Sequence, residues 1–305
     1  MNGNGNSDSN RSGLHGQTVL IINTTKKFFI KKAKGFGVKI ITLGKEASTL
    51  QPYVDFHITA DTSNHPEALA MLDNFLKLHP EIKLDGVLTF WEDDVLLTSK
   101  ISDRYRLIGT PCKVANRIRN KFLLREFCAA NNLPTIHHKE LKSSKDLEEI
   151  VKTFNFPLVV KPAYGAASAF VVKVDNEEEL RESFNYIKKE ISPKVESALN
   201  DGLDVFVEEY IDGDEVDMDI LVQNGKIKFC GISDNGKTKE PFFIETVRMT
   251  PSNLPIKNQL ELLALADEAL EKLGVLNGCV HFEAKSTHDG PMPLEINLRL
   301  GGDEI

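Results

Sequence analysis

The stretch Glu295-Ile296-Asn297-Leu298-Arg299-Leu300-Gly301-Gly302 decides how the rest of the chain is read. Its alternation is that of a β-strand, which sends Glu295, Asn297 and Arg299 to one face and Ile296 and Leu298 to the other. Upstream, His281, Glu283 and Lys285 alternate in the same way. A hairpin through His288-Asp289-Gly290 would set Glu283 beside Glu295 and Asn297. Two carboxylates and an amide are hard oxygen ligands, suited to Mg2+ (or Mn2+), which keeps its other positions for water and phosphate oxygens. One such strand fits a solvated sheet face with a satisfied ion pair equally well; two adjacent strands favour the metal.

Working outward, Lys161 ends the apolar run Leu158-Val159-Val160 and precedes Ala163-Tyr164-Gly165-Ala166-Ala167-Ser168-Ala169. Small residues let backbone N–H groups approach phosphate oxygens, and an ammonium at the base of the loop supplies compensating charge. An ordinary hairpin with an exposed Lys has the same composition, so this segment alone leaves both readings open. Residues 206–215 carry carboxylates on both sides of an apolar turn. Glu208 and Glu215 suit an amino group and a pair of vicinal hydroxyls, and Ile211 suits a flat ring. Taken in isolation, the segment also fits a charged loop between edge strands.

The organisation changes along the chain. Short apolar or β-branched runs at 18–23, 38–43 and 86–90 alternate with polar helical stretches such as 66–79, which predicts buried parallel strands with crossovers. A helical pattern over 113–131 follows, closed by Asn131-Asn132-Leu133-Pro134. Beyond it, a helix at 145–154, strands at 156–162 and 170–175, a helix from 176 to about 190 and further strands, with a hairpin turn at Asn224-Gly225, predict an antiparallel α+β region. Residues 1–16, rich in Asn, Gly and Ser, read as a disordered tail.

Composition narrows the function classes. The 305 residues include 37 Lys+Arg against 45 Asp+Glu, a net charge of −8, with 41% hydrophobic residues. Wholesale disorder is excluded, and no overall positive field favours nucleic acid. No apolar run approaches the ~20 residues that span a bilayer. Cys112, Cys128, Cys230 and Cys279 are widely spaced, without a CxxC pair, which suggests a reducing, cytoplasmic compartment. Trp91, after the third strand of the opening region, reads as a core or interdomain anchor in preference to a substrate contact.

In this order the pieces resemble the ATP-grasp superfamily, specifically its carboxylate–amine ligases. The matching segments are residues 120–125, Val160-Lys161-Pro162, 208–215, Glu283 and 295–302, and the resemblance runs from about residue 85 to the last residue. It implies an α/β parallel-sheet domain over 17–112, then an α+β ATP-grasp fold over 113–305 whose two antiparallel sheets enclose ATP. Within the latter, 113–145 would be a linker helix and connection, 146–210 a small lid, and 211–305 the metal-binding sheet.

By the same resemblance, Lys121 and Lys161 would contact ATP phosphates beneath a closing loop that includes Gly165, Ala166, Ala167 and Ser168. Glu208, Glu209, Tyr210 and Ile211 would form the adenine site, with Glu208 on the amino group, and Glu215 would hold ribose. Glu283, Glu295 and Asn297 would bind Mg2+, and Arg299 would face the transferred phosphoryl group. The activity implied is activation of a carboxylate, in the manner of L-amino-acid ligases and carnosine synthases, as an acyl phosphate that an amine then attacks. The partners are small-molecule carboxylate and amine substrates, with a homodimer also in keeping with the family and no role for nucleic acid or membrane. A nucleotide-binding or regulatory module is the competing class, and purine-biosynthetic or biotin-dependent chemistry the competing branch. Relatives carry Gly or Ser where Ala166 and Ala167 stand and continue beyond the glycine pair, so the resemblance implies a shortened form or a fragment.

Overall fold

The computed structural model describes residues 13–24, 26–46, 51–243 and 246–302. Residues 1–12 of the expected disordered tail lie outside that description. Residues 13–16 form a turn in which the Gly16 N–H donates to the Gly37 carbonyl at 2.9 Å. The chain divides into two compact units at Pro111 and Cys112.

In the first unit, β1 (Thr18–Ile22), β2 (Lys39–Gly44), β3 (Phe56–Thr59) and β4 (Gly86–Thr89) form an all-parallel sheet of order β3-β2-β1-β4. Leu20, Ile22, Ile41 and Leu43 pack with α2 (His65–Leu78) and α3 (Val95–Tyr105), while Ile21 and Ile40 pack with α1 (Lys27–Gly35). Burial on both faces is why these strands read as continuous apolar runs. β3 escapes such a reading because only one of its four residues, Ile58, is buried. Trp91 is no core anchor: it is 41% exposed, and its backbone N–H donates to the Thr89 hydroxyl.

The second unit opens with two helices where periodicity predicted one, α4 (Cys112–Arg119) and α5 (Lys121–Ala130). Asn120 separates them: its backbone is extended, and its side-chain oxygen accepts the Leu123 N–H at 2.9 Å, capping α5. The apolar spacing continues across the break, so periodicity alone could not see it.

β5 (His138–Leu141), β6 (Leu158–Pro162), β7 (Val172–Val174) and β8 (Val205–Glu209) then build an antiparallel sheet of order β5-β8-β6-β7. The stretch 113–145, read as helix and connection, thus also supplies a strand to this sheet. Leu158, Val160, Val205 and Val207 face α6 (Ser144–Thr153) and α7 (Glu177–Glu190), where Leu147, Ile150, Leu180 and Phe184 cover them. Strand alternation therefore turns Val159, Lys161, Phe206 and Glu208 to the opposite face.

β9 (Asp214–Gln223), β10 (Lys226–Asn235), β11 (Arg248–Met249), β12 (Asn277–Thr287) and β13 (Gly290–Asn297) form the other antiparallel sheet, in the order β11-β10-β9-β12-β13. Asn224 and Gly225, both at positive φ, make the tight turn from β9 to β10. Met218, Ile220, Val280, Phe282 and Ile296 pack against Leu262, Ala266 and Leu270 of α8 (Ile256–Leu273) and against Ile118 and Leu124 of α4 and α5. Each such side chain contributes about 1.5–3 kcal/mol on full burial. The polar partners in the alternation, Asp217, Asp219, His281, Glu283 and Glu295, share the other face.

Candidate active site

One cleft of the second unit is lined from both sheets, by Lys161 and Glu208 of the first and by Glu215, Glu283, Lys285 and Glu295 of the second. Registry brings the candidate metal ligands together: Glu283 stands directly opposite Glu295, and His281 opposite Asn297. The Asn297 amide donates to Glu283 Oε1 at 3.4 Å. Burial, with the Glu295 charge beside it, pushes the Glu283 carboxyl up to about 8. Burial also works against the ionised Glu295, but Lys121 and Lys161 outweigh it and hold that carboxyl below the usual range.

Among the described residues, no group of three or more His, Cys, Asp or Glu side chains could hold a metal ion. Two opposed carboxylates and an amide nevertheless fit a hard divalent cation, because a carboxyl whose ionisation is opposed by burial and by its neighbour's charge is relieved when a cation replaces the proton. Such a donor set leaves coordination positions for a phosphorylated ligand.

The cations come from three elements. Lys121 Nζ, at the start of α5, lies 3.1 Å from Glu295 Oε1 and donates to the Gly165 carbonyl at 3.0 Å, so it bridges the floor of the cleft and the small-residue loop. Lys161 pairs with Glu208, and burial pushes its ammonium below the usual lysine range. Arg299 lines the cleft too, but β13 ends at Asn297, so the turn that follows delivers it rather than strand alternation. That turn is pinned by Gly301, whose N–H donates to Asp219 at 2.8 Å; a Cβ there would lie 3.1 Å from the His281 ring.

Ala166, Ala167 and Ser168 also line the cleft, with Ala167 and Ser168 at positive φ. Gly165 contributes the carbonyl that Lys121 grips. Glu209, which ends β8, and Tyr210 and Ile211, which follow it, line the cleft with the apolar Ile136, Val159 and Leu294. Glu208 lines the cleft and is also held by protein partners. The residue is 3% exposed, with Oε2 accepting from Arg125 Nε at 2.9 Å and Oε1 meeting Lys161. Each oxygen keeps a second lone pair, and Glu208 lines the cleft, so these partners do not by themselves exclude a ligand amino group. Glu209 likewise accepts from the Asn155 N–H at 2.9 Å.

Two residues of consequence escaped the sequence reading. Arg125, quoted in a motif but given no role, is the partner of Glu208. Lys285, seen in the strand alternation, donates to the Ile211 carbonyl at 3.1 Å, sits 3.7 Å from Glu215 and lies over the Tyr210 ring. The strict period of two through His281, Glu283 and Lys285 was the signal for the latter.

Comparison with known proteins bears on this arrangement. Residues 154–305 match the family described as the ATP-grasp domain. The chain carries an ATP-grasp domain and belongs to that superfamily. Carnosine synthase 1 of Mus musculus is 27% identical over 96% of the chain, and alanine–anticapsin ligase of Bacillus subtilis (strain 168) is 24% identical over 73%. The chain spans 38% of the length of the first and 49% of the second. The crystal structure of an L-amino acid ligase from Bacillus licheniformis has 26% sequence identity and superposes with a TM-score of 0.80, covering 94% of this chain and 68% of that one. The ATP-grasp fold, with a parallel-sheet unit ahead of two antiparallel sheets, is therefore shared. No helix among the described residues is long and apolar enough to cross a membrane.

Proposed function

We propose that the protein is an ATP- and Mg2+-dependent carboxylate–amine ligase acting on amino acids. The observation that carries this reading is the convergence of Lys121, Lys161 and Arg299 with the opposed Glu283 and Glu295 in one cleft between two antiparallel sheets. A carboxylate does not acylate an amine at neutral pH, because its oxygen is a poor leaving group. In the proposed reaction a carboxylate oxygen attacks the terminal phosphorus of ATP, the bond to the bridging oxygen breaks, and ADP departs. The amine then attacks the acyl carbon of the acyl phosphate; the C–O bond breaks, phosphate leaves, and the nitrogen loses a proton.

Such a transfer needs alignment and neutralised charge rather than a protein nucleophile. Lys121, Lys161 and Arg299 supply cationic groups from three directions, while Glu283 and Glu295, supported by Asn297, would hold Mg2+. The metal would add charge neutralisation on the phosphates. Ile136, Val159, Ile211 and Leu294 offer an apolar slot for a base, and Glu215 an acceptor for ribose hydroxyls. Glu208, held by Arg125 and Lys161, and the 209–211 segment beside it would meet the amino group of the base. The similarity to amino-acid ligases supports an amino acid as the activated carboxylate.

The test is a phosphate-release screen of amino-acid pairs with MgATP. Release that depends on adding a carboxylate and an amine together is expected. ATP binding without turnover on any pair would defeat the ligase reading and favour a nucleotide-binding module.

A further inference from the structure

Arg125 is 0% exposed, the largest of the fully buried side chains. Its Nε donates to Glu208 Oε2 at 2.9 Å and its Nη2 to the Leu294 carbonyl at 2.8 Å. Glu208 holds Lys161 with its other oxygen. Glu208, Lys161 and Leu294 all line the cleft, and Arg125 itself does not. One guanidinium on α5 thus grips a strand of each sheet, β8 through Glu208 and β13 next to Glu295.

Stability alone is a poor reason for this arrangement. Burying three charges is expensive, and well-packed apolar replacements of such triads are often neutral or stabilising. Arg125 Nη1 adds to the cost, being a buried donor with no hydrogen-bond partner. Charge counting supplies a better reason. Lys161 and Glu208 by themselves form a neutral pair, which offers a polyanion nothing. Adding Arg125 makes the group net +1 while holding Glu208 from behind, which leaves Lys161, a cleft-lining residue 7% exposed, with charge to spare on the cleft side. Burial of Glu208 and Lys161 reduces solvent screening, so the extra charge is felt across the wall.

We infer that Arg125 is a positioning residue that gives the Lys161 wall its net positive charge and holds it in register with the Glu295 strand, so that a nucleotide polyphosphate is bound without Arg125 touching it. This rests on the nucleotide reading above. Two effects follow and they separate by substitution. Removing the charge with Arg125→Met leaves a neutral pair and should weaken MgATP binding roughly 10- to 100-fold. Removing Glu208 as well, in Arg125→Met/Glu208→Gln, frees Lys161 and should restore most of the lost affinity. Arg125→Lys keeps the charge but cannot span Glu208 and Leu294 with two directed donors; it should leave ATP affinity within a few-fold and lower kcat about tenfold or more.

The experiment is isothermal titration calorimetry of MgATP with the wild-type chain and these three variants, with circular dichroism to confirm folding and ADP formation to read kcat. Rescue by the double variant is the signature that a merely structural arginine would not produce. Wild-type-like binding by Arg125→Met overturns the inference, and so does a double variant that binds no better than the single one. Should Arg125→Met fail to fold, an Arg125→Lys variant with lowered ATP affinity and unchanged kcat overturns it instead. A wild-type chain that binds no MgATP would overturn the nucleotide reading itself, a result distinct from wild-type binding that the variants leave unchanged.

Discussion

Replacing Glu283 with Gln keeps the side chain's shape and its contact with Asn297 while removing the ionisable group that faces Glu295 across β12 and β13. For opposed carboxylates about 5 Å apart at an effective dielectric near 20, the repulsion is ~3 kcal/mol. Burial first, and then this repulsion, lift the Glu283 carboxyl from 4.5 to about 8. At about pH 7 the folded protein forgoes an ionisation that the unfolded chain makes freely, also ~3 kcal/mol. A quarter of the side chain still reaches solvent (27% exposed), which lowers the expectation to about 2–3 kcal/mol.

The sign follows from proton counting. The folded carboxyl has the higher pKa, so between about 4.5 and 8 the folded state binds more protons than the unfolded one, and stability falls as pH rises through that window. In the absence of divalent cations, Glu283→Gln should raise the melting temperature roughly 5–10 °C at about pH 8 and change it little near pH 4.5. Mg2+ should stabilise the wild type, by about 2.7 kcal/mol at a hundred times its Kd, and the variant far less. Scanning calorimetry across this pH range, with and without Mg2+, reads both effects. A variant no more stable at the upper pH, or one stabilised by Mg2+ as much as the wild type, would refute the reasoning.

Glu295→Gln should abolish Mg2+-dependent ADP formation with the far-ultraviolet circular dichroism unchanged; retained turnover removes Glu295 from the metal site. Asn120→Ala removes the cap of α5 and should cost about 1 kcal/mol in urea denaturation, together with weaker MgATP binding because Lys121 and Arg125 lose their aim. An unchanged midpoint and unchanged affinity would separate the cap from the site. Ala167→Gly relieves a left-handed backbone at φ 52° and should stabilise the protein by about 1 kcal/mol, and a lowered melting temperature would show that the loop does not hold this conformation in solution.

Much of the architecture was legible because burial writes itself into residue pattern. The doubly covered strands of the first unit are unbroken apolar runs, and Glu283, Glu295 and Asn297 are marked by a period of two. Other elements were not legible, each for a local reason. The single helix expected over 113–131 is two, since an Asn cap carries no periodic signature when the apolar spacing runs through it. β3 and β5 are only four residues each, and the sheets that recruit them are assembled from distant segments.

Residue order along each strand assigns side chains to its two faces, and hence puts two carboxylates, an amide and several cations on polar faces backed by apolar ones. That much follows from covalent geometry and needs no partner. Which cation meets which carboxylate was decided only by the tertiary structure. Glu208 and Arg125 are separated by 83 residues, and Arg125 and Leu294 by 169, so nothing local to either segment encodes their meeting. The packing of α5 against both sheets brings them together. The low exposure it imposes makes Glu208 the centre of a buried triad with Arg125 and Lys161.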